Sequence, residues 1–147
     1  MKMLRKLSMP LLVIGGLALS APAHAITTEY GELHQEDDGW YLGDQYLKGT
    51  AGLEADDSDI IQQDGIIVMT AHKPGPMGTT QYGIARIIHS QSKNKGKIRL
   101  MKKGITAGDT PQNLSLEGKV LHYDLGGETH DIDVPEVPAD LSGGDWR

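Results

Sequence analysis

The spacing of imidazole, thioether and carboxylate groups raises the first chemical question about this chain. Met69, His72 and Met77 straddle a Pro-Gly-Pro segment, and His89 and Met101 follow it. Thioether and imidazole are good copper ligands, so His72 and Met77 are candidate metal ligands, although Met69 and Met101 are more simply read as core residues. A second candidate is the set His122, Asp124, Asp131 and Asp133, which shares one face if the segment is a hairpin. His122 and Asp131 would then offer nitrogen and oxygen to a divalent cation such as copper or zinc; the competing reading is a solvated polar face. Asp56, Asp57 and Asp59 suggest calcium. Counting from Asp57, however, puts Ile61 at the fifth position, Gln62 where the turn glycine belongs and Val68 where the bidentate glutamate belongs, so the calcium-loop pattern fails.

Nucleophilic chemistry is poorly represented. The chain has no cysteine, which excludes thiol nucleophiles, thiolate metal sites and disulfides. It has no Gly-x-Ser-x-Gly, no His-Glu-x-x-His and no phosphate-binding Gly-x-x-x-x-Gly-Lys motif. A small hydrolase therefore stays an alternative with no catalytic residue to name, and no cofactor other than a metal is suggested.

Charge is the more informative signal. Residues 26–64 hold one lysine against eleven acids, residues 65–108 hold eight lysines or arginines and no acid, and residues 109–147 hold two basic residues against nine acids. The cluster Lys93, Lys95, Lys97, Arg99, Lys102 and Lys103 lies in the acid-free block. One reading is that the acidic flanks neutralise it in the fold; the other is a positive patch that attracts an anionic partner. Lysines along a strand edge also guard against edge-to-edge pairing. Nucleic acid is a poor partner because the chain as a whole is acidic and only Tyr82 supplies an aromatic ring within the block.

Positioning these groups falls to strands. Gly43-Asp44 predicts a two-residue turn pairing Leu42 with Gln45, Tyr41 with Tyr46 and Trp40 with Leu47. Trp40, Leu42 and Leu47 then share a face, while Tyr41 and Tyr46 stand opposite one another as a partner-binding platform or as a stabilising cross-strand pair. Gly126-Gly127 predicts a second hairpin with Tyr123 against His130 and Leu121 against Ile132, turning Leu121, Tyr123, Ile132 and Val134 inward. Residues 65–71 are apolar on both faces and suit a central strand, residues 82–89 and 97–101 suit two more, and residues 114–117 start another. Residues 73–78 form a loop. Residues 56–64 suggest a helical turn capped by Asp56 or Ser58 and stopped by Gly65. The expected fold is all-β, a small sandwich or barrel of about six to eight mostly antiparallel strands.

The N-terminal 25 residues read as a secretory signal: Lys2, Arg5 and Lys6, an apolar run over residues 11–19 too short to span a bilayer, then Ala23 and Ala25 at a cleavage site. Cleavage after Ala25 leaves eleven basic and twenty acidic residues, a formal charge of −9. The expected organisation is a signal peptide at 1–25, one β-rich domain at 26–134 and an extended tail at 135–147. Together these features predict an exported, periplasmic or secreted, non-catalytic binding or accessory domain of the cell envelope. It would contact an acidic or anionic partner through the basic hairpin and Tyr41 and Tyr46, without stable membrane insertion. A periplasmic metal binder is the alternative from another class.

Overall fold

The computed structural model describes residues 25–90 and 95–136. The expected signal up to His24, Lys93 and the tail beyond Glu136 lie outside the described residues, and Lys95 is described by its backbone alone. The fold is all-β and antiparallel, with β1 (Ile26–Thr28), β2 (Gly31–Glu36), β3 (Gly39–Leu42), β4 (Gln45–Tyr46), β5 (Ile60–Gln63), β6 (Ile66–Pro74), β7 (Thr80–Ser90), β8 (Lys95–Thr106), β9 (Gln112–Glu117), β10 (Val120–Leu125) and β11 (Glu128–Asp133). The eleven strands among the described residues exceed the number expected, because short polar strands carry little apolar alternation. They form three sheets, β1-β2-β3-β4, β5-β6-β7-β8 and β11-β10-β9. None of the sheets closes on itself, so the layered alternative holds and the barrel does not.

Apolar alternation explains the layering. In β6, Ile67, Met69 and Ala71 join Ala85, Ile87 and Ile98 on one face, where Leu33, Trp40, Leu42 and Leu47 of the first sheet cover them. On the other face, Ile66 and Val68 join Tyr82 and Ile84 beneath Leu121, Tyr123 and Val134. The second sheet is thus the middle of three layers, with an apolar core on each side. This is why residues 66–71 are buried without a break and show no polar face.

Both predicted hairpins have the expected register. Tyr41 pairs with Tyr46 and Leu42 with Gln45, and the Trp40 carbonyl accepts the Leu47 N–H at 2.9 Å. Leu121 pairs with Ile132, His122 with Asp131 and Tyr123 with His130. The helical turn predicted over residues 56–64 is corrected: only Asp57–Asp59 make a single 3-10 turn, with the Asp56 N–H donating to Asp59 Oδ2 at 2.8 Å. Ile60 and Ile61 instead face opposite cores in β5. Asp64 (φ 53°) and Gly65 (φ 81°) then close a two-residue hairpin in which Gln63 meets Ile66. Positive φ at both turn positions matches the right-handed twist of the flanking strands, which is why Asp-Gly starts a hairpin here and does not merely stop a helix.

Candidate functional site

The basic residues sit on β8, whose only ladder partner among the described residues is β7. In register, Lys97 lies opposite Ile88, Arg99 opposite Arg86 and Ile98 opposite Ile87. A bulge interrupts this order: Ala85 pairs with Leu100, but Ile84 pairs with Lys102, leaving Met101 as the extra residue. Simple alternation from Lys97 would group Lys103 with Arg99 and send Lys102 to the other side. The bulge reverses that, so Lys97, Arg99 and Lys102 share a face with Arg86, while Lys103, opposite Gly83, turns to the other face. The side chains of Lys93 and Lys95 lie outside the described residues.

Arg86 completes this face and is not singled out by sequence, because the register of the long hairpin cannot be counted before its turn is placed. Its Nη1 donates to the Pro135 carbonyl at 2.8 Å, and its buried Nε has no hydrogen-bond partner among the described residues. Burial pushes its guanidinium below the ordinary arginine range, opposed by the nearby Glu136 carboxylate. Among the described residues, no acid forms an ion pair with Lys97, Arg99 or Lys102. Arg86 and Arg99 hold directly opposed positions on neighbouring strands, and the Glu136 carboxylate is the nearby acid that acts on the Arg86 guanidinium.

Tyr41 and Tyr46 occupy the outer side of a different sheet. Their rings are 5.4 Å apart and tilted by 60°, and His34 stacks on Tyr41 at 5.7 Å. The Tyr41 hydroxyl donates to Asp38 Oδ2 at 2.8 Å and the Tyr46 hydroxyl to the Asp38 carbonyl at 3.2 Å. That bond to an anionic acceptor pushes the Tyr41 phenol up to about 12. Both hydroxyls are thereby engaged on the β2 to β3 turn, and the tilted rings present edges as well as faces. Among the described residues, neither tyrosine bonds with Lys97, Arg99 or Lys102, which share a face of the second sheet.

Comparison of the chain with protein-family models, with curated proteins and with solved structures found no match. The site has to be read from its own chemistry.

The metal candidates fall into separate places. His72 is half-buried in β6, bridged through its backbone to Glu54, whereas Met77 is fully exposed at the loop tip. Met69 is buried in the first core and Met101 packs against the second. His122 and Asp131 lie on the outer face of the third sheet, opposite the core residues Leu121 and Tyr123. Among the described residues, no group of three or more histidines and carboxylates could hold a metal ion. His122 is engaged instead by carboxylates on both ring nitrogens, Nδ1 with Asp131 and Nε2 with Glu117 Oε1 at 3.1 Å. Carboxylates at both nitrogens favour the protonated ring, and a protonated ring has no lone pair for a cation.

This arrangement predicts a pH response. The hydrogen bond to Asp131, then that to Glu117, raises the His122 pKa above its usual 6.5. A raised folded-state pKa means that the stabilisation is fully present below the unfolded value and is lost as pH rises through the folded one. Thermal midpoints should therefore fall from about pH 6.5 upward, and His122→Gln should flatten that slope. An NMR titration placing the His122 midpoint at or below that of a free imidazole would contradict the assignment.

Proposed function

We propose that this chain is an exported, non-catalytic binding domain of the cell envelope that docks an acidic or anionic partner on the face bearing Arg86, Lys97, Arg99 and Lys102. The observation that carries the reading is the grouping of four cations on one face: Arg86 and Arg99 at opposed positions of β7 and β8, with Lys97 and Lys102 on either side along β8 and no acid in an ion pair with them among the described residues. A carboxylate or phosphate bound on this face would gain charge-assisted hydrogen bonds, for which arginine's planar fork is well suited. The same charges discourage β8 from pairing with a stray strand, a role that needs no ligand. Export rests on the composition of the first 25 residues.

Polyglutamate measured by fluorescence anisotropy at low salt distinguishes docking from edge protection. The triple variant Lys97→Gln, Arg99→Gln, Lys102→Gln should weaken binding by about tenfold, since three partly exposed charge contacts of ~0.5 kcal/mol each sum to that factor. Its unfolding midpoint should not fall. Unchanged affinity in a folded variant overturns the docking face. N-terminal sequencing of protein from the envelope fraction should read Ile26 first; an intact Met1 there would overturn cleavage after Ala25.

A further inference from the structure

The three residues that follow β11 bring an acid to the cationic face. Val134 extends the hairpin by one residue: its N–H donates to the Lys119 carbonyl at 2.8 Å, and its side chain is buried in the second core. Pro135 has no N–H to give, and its carbonyl accepts Arg86 Nη1 at 2.8 Å. Glu136 turns its carboxylate back to the β9–β10 turn, where Oε1 accepts Lys119 Nζ at 2.6 Å. Each of the three is fixed to the fold, and the residue beside the Arg86 contact is an acid.

The three attachments differ in strength. Val134 is 5% exposed, so packing sets its position. The Lys119 and Glu136 side chains are 66% and 76% exposed, and an ion pair that far in water contributes little and exchanges readily. Lys119 first, and Arg86 more weakly, hold the Glu136 carboxyl below the usual carboxylate range, so it is anionic at neutral pH. Its field acts on Arg86 in turn, opposing the effect of burial on the guanidinium. Tethered one residue from the Pro135 contact, this anion is present at Arg86 at a high effective concentration, whereas an acidic partner must lose translational freedom to arrive there. A carboxylate resting on Lys119 leaves more of the Arg86 charge to a partner than one turned toward Arg86.

We propose that Glu136 is a built-in competitor for the anion site at Arg86, and that Lys119 is a positioning residue that draws it aside. The inference rests on the docking reading of this face and adds its regulation: affinity for an acidic partner depends on where one carboxylate of this chain points as well as on the cations. It gives Lys119, in the β9–β10 turn, a part in binding that its place outside the cationic face does not suggest.

Polyglutamate affinity of Glu136→Gln, Lys119→Gln and the double variant, measured by fluorescence anisotropy, tests the assignment. Glu136→Gln should bind about two- to threefold more tightly than the wild type and Lys119→Gln about two- to threefold more weakly, factors in keeping with exposed charge contacts. The double variant should bind like Glu136→Gln, because Lys119 acts only through the acid. Two charges acting independently at a distance would cancel in the double variant, and a return to wild-type affinity there overturns the proposal. The Arg86 Nε–H NMR signal gives a readout without ligand: buried and with no hydrogen-bond partner among the described residues, it should shift in Lys119→Gln and in the opposite direction in Glu136→Gln. No shift in either variant overturns the competition even where polyglutamate binds. Opposite shifts with no polyglutamate binding by the wild type or by Glu136→Gln support the two positions of Glu136 and overturn the docking face, so the two failures are distinct.

Discussion

Trp40→Ala should remove about 3–5 kcal/mol of stability, a large share of the roughly 5–15 kcal/mol that holds a domain folded. The indole is fully buried among Leu33, Leu42, Leu47 and Leu53, and the chain has no phenylalanine to share the aromatic part of the core. Its Nε1 donates to the Leu53 carbonyl at 3.0 Å, but Gln35 Nε2 donates to the same oxygen at 3.0 Å, so truncation does not orphan that acceptor. The loss is therefore one of packing. Thr50→Val makes a useful contrast because it preserves shape. The Thr50 hydroxyl accepts the Trp40 N–H at 2.8 Å and donates to the Leu47 carbonyl at 2.6 Å, so valine leaves two buried polar groups unpaired, at a cost of about 1–3 kcal/mol. Urea unfolding measures both. A Trp40→Ala cost below about 1 kcal/mol would mean that this core is not packed as described.

Leu121→Ala is the corresponding experiment on the other side of the central sheet, with an expected loss of about 2–5 kcal/mol. Leu121 is fully buried in the second core with Tyr82, Ile84 and Tyr123, and shares no cluster with Trp40. Substitutions in separate clusters add to within about 0.3–0.5 kcal/mol, whereas residues sharing a cavity couple more strongly. Milder changes, Leu47→Val for the first core and Leu121→Val for the second, allow the double variant to stay folded so that additivity can be measured. Strong coupling between them would indicate one continuous core and contradict the three-layer arrangement.

Most of the local pairing is readable from the amino-acid order. Gly43-Asp44 and Gly126-Gly127 set two hairpins to the correct register, because a two-residue turn leaves no freedom in which residues meet. The unbroken apolar run beginning at Ile66 signals a strand covered on both sides. β2 is hidden from such a reading because Leu33 is its one aliphatic residue among Glu32, His34, Gln35 and Glu36, and its place is set by pairing with β3 and by burial under the middle sheet. Ile60–Gln63 reads as helical because three aspartates before it mimic a helix start, while the Asp64-Gly65 turn that decides the matter follows it.

The candidate site is readable as composition but not as geometry. An acid-free block announces cations; it does not say which of them share a face. Arg86 opposite Arg99 depends on the register of a long hairpin, and the contact that brings Glu136 beside Arg86 joins residues 49 apart in the chain. Such meetings are set by how the sheets stack, which no local pattern encodes.

The bulge at Met101 bears on how this chain can vary. Because Met101 is supernumerary in the ladder, deleting it leaves Lys102 facing Ile84 and Lys103 facing Gly83 as before, with only its own contact to the second core lost. Divergent descendants of this sequence can thus gain or shed one residue here and still present the same cations to the same two surfaces. Sidedness in β8 is inherited through pairing with β7 rather than through spacing, so counting residues by twos sorts the charges onto the wrong surface where the bulge is kept and onto the right one where it is lost.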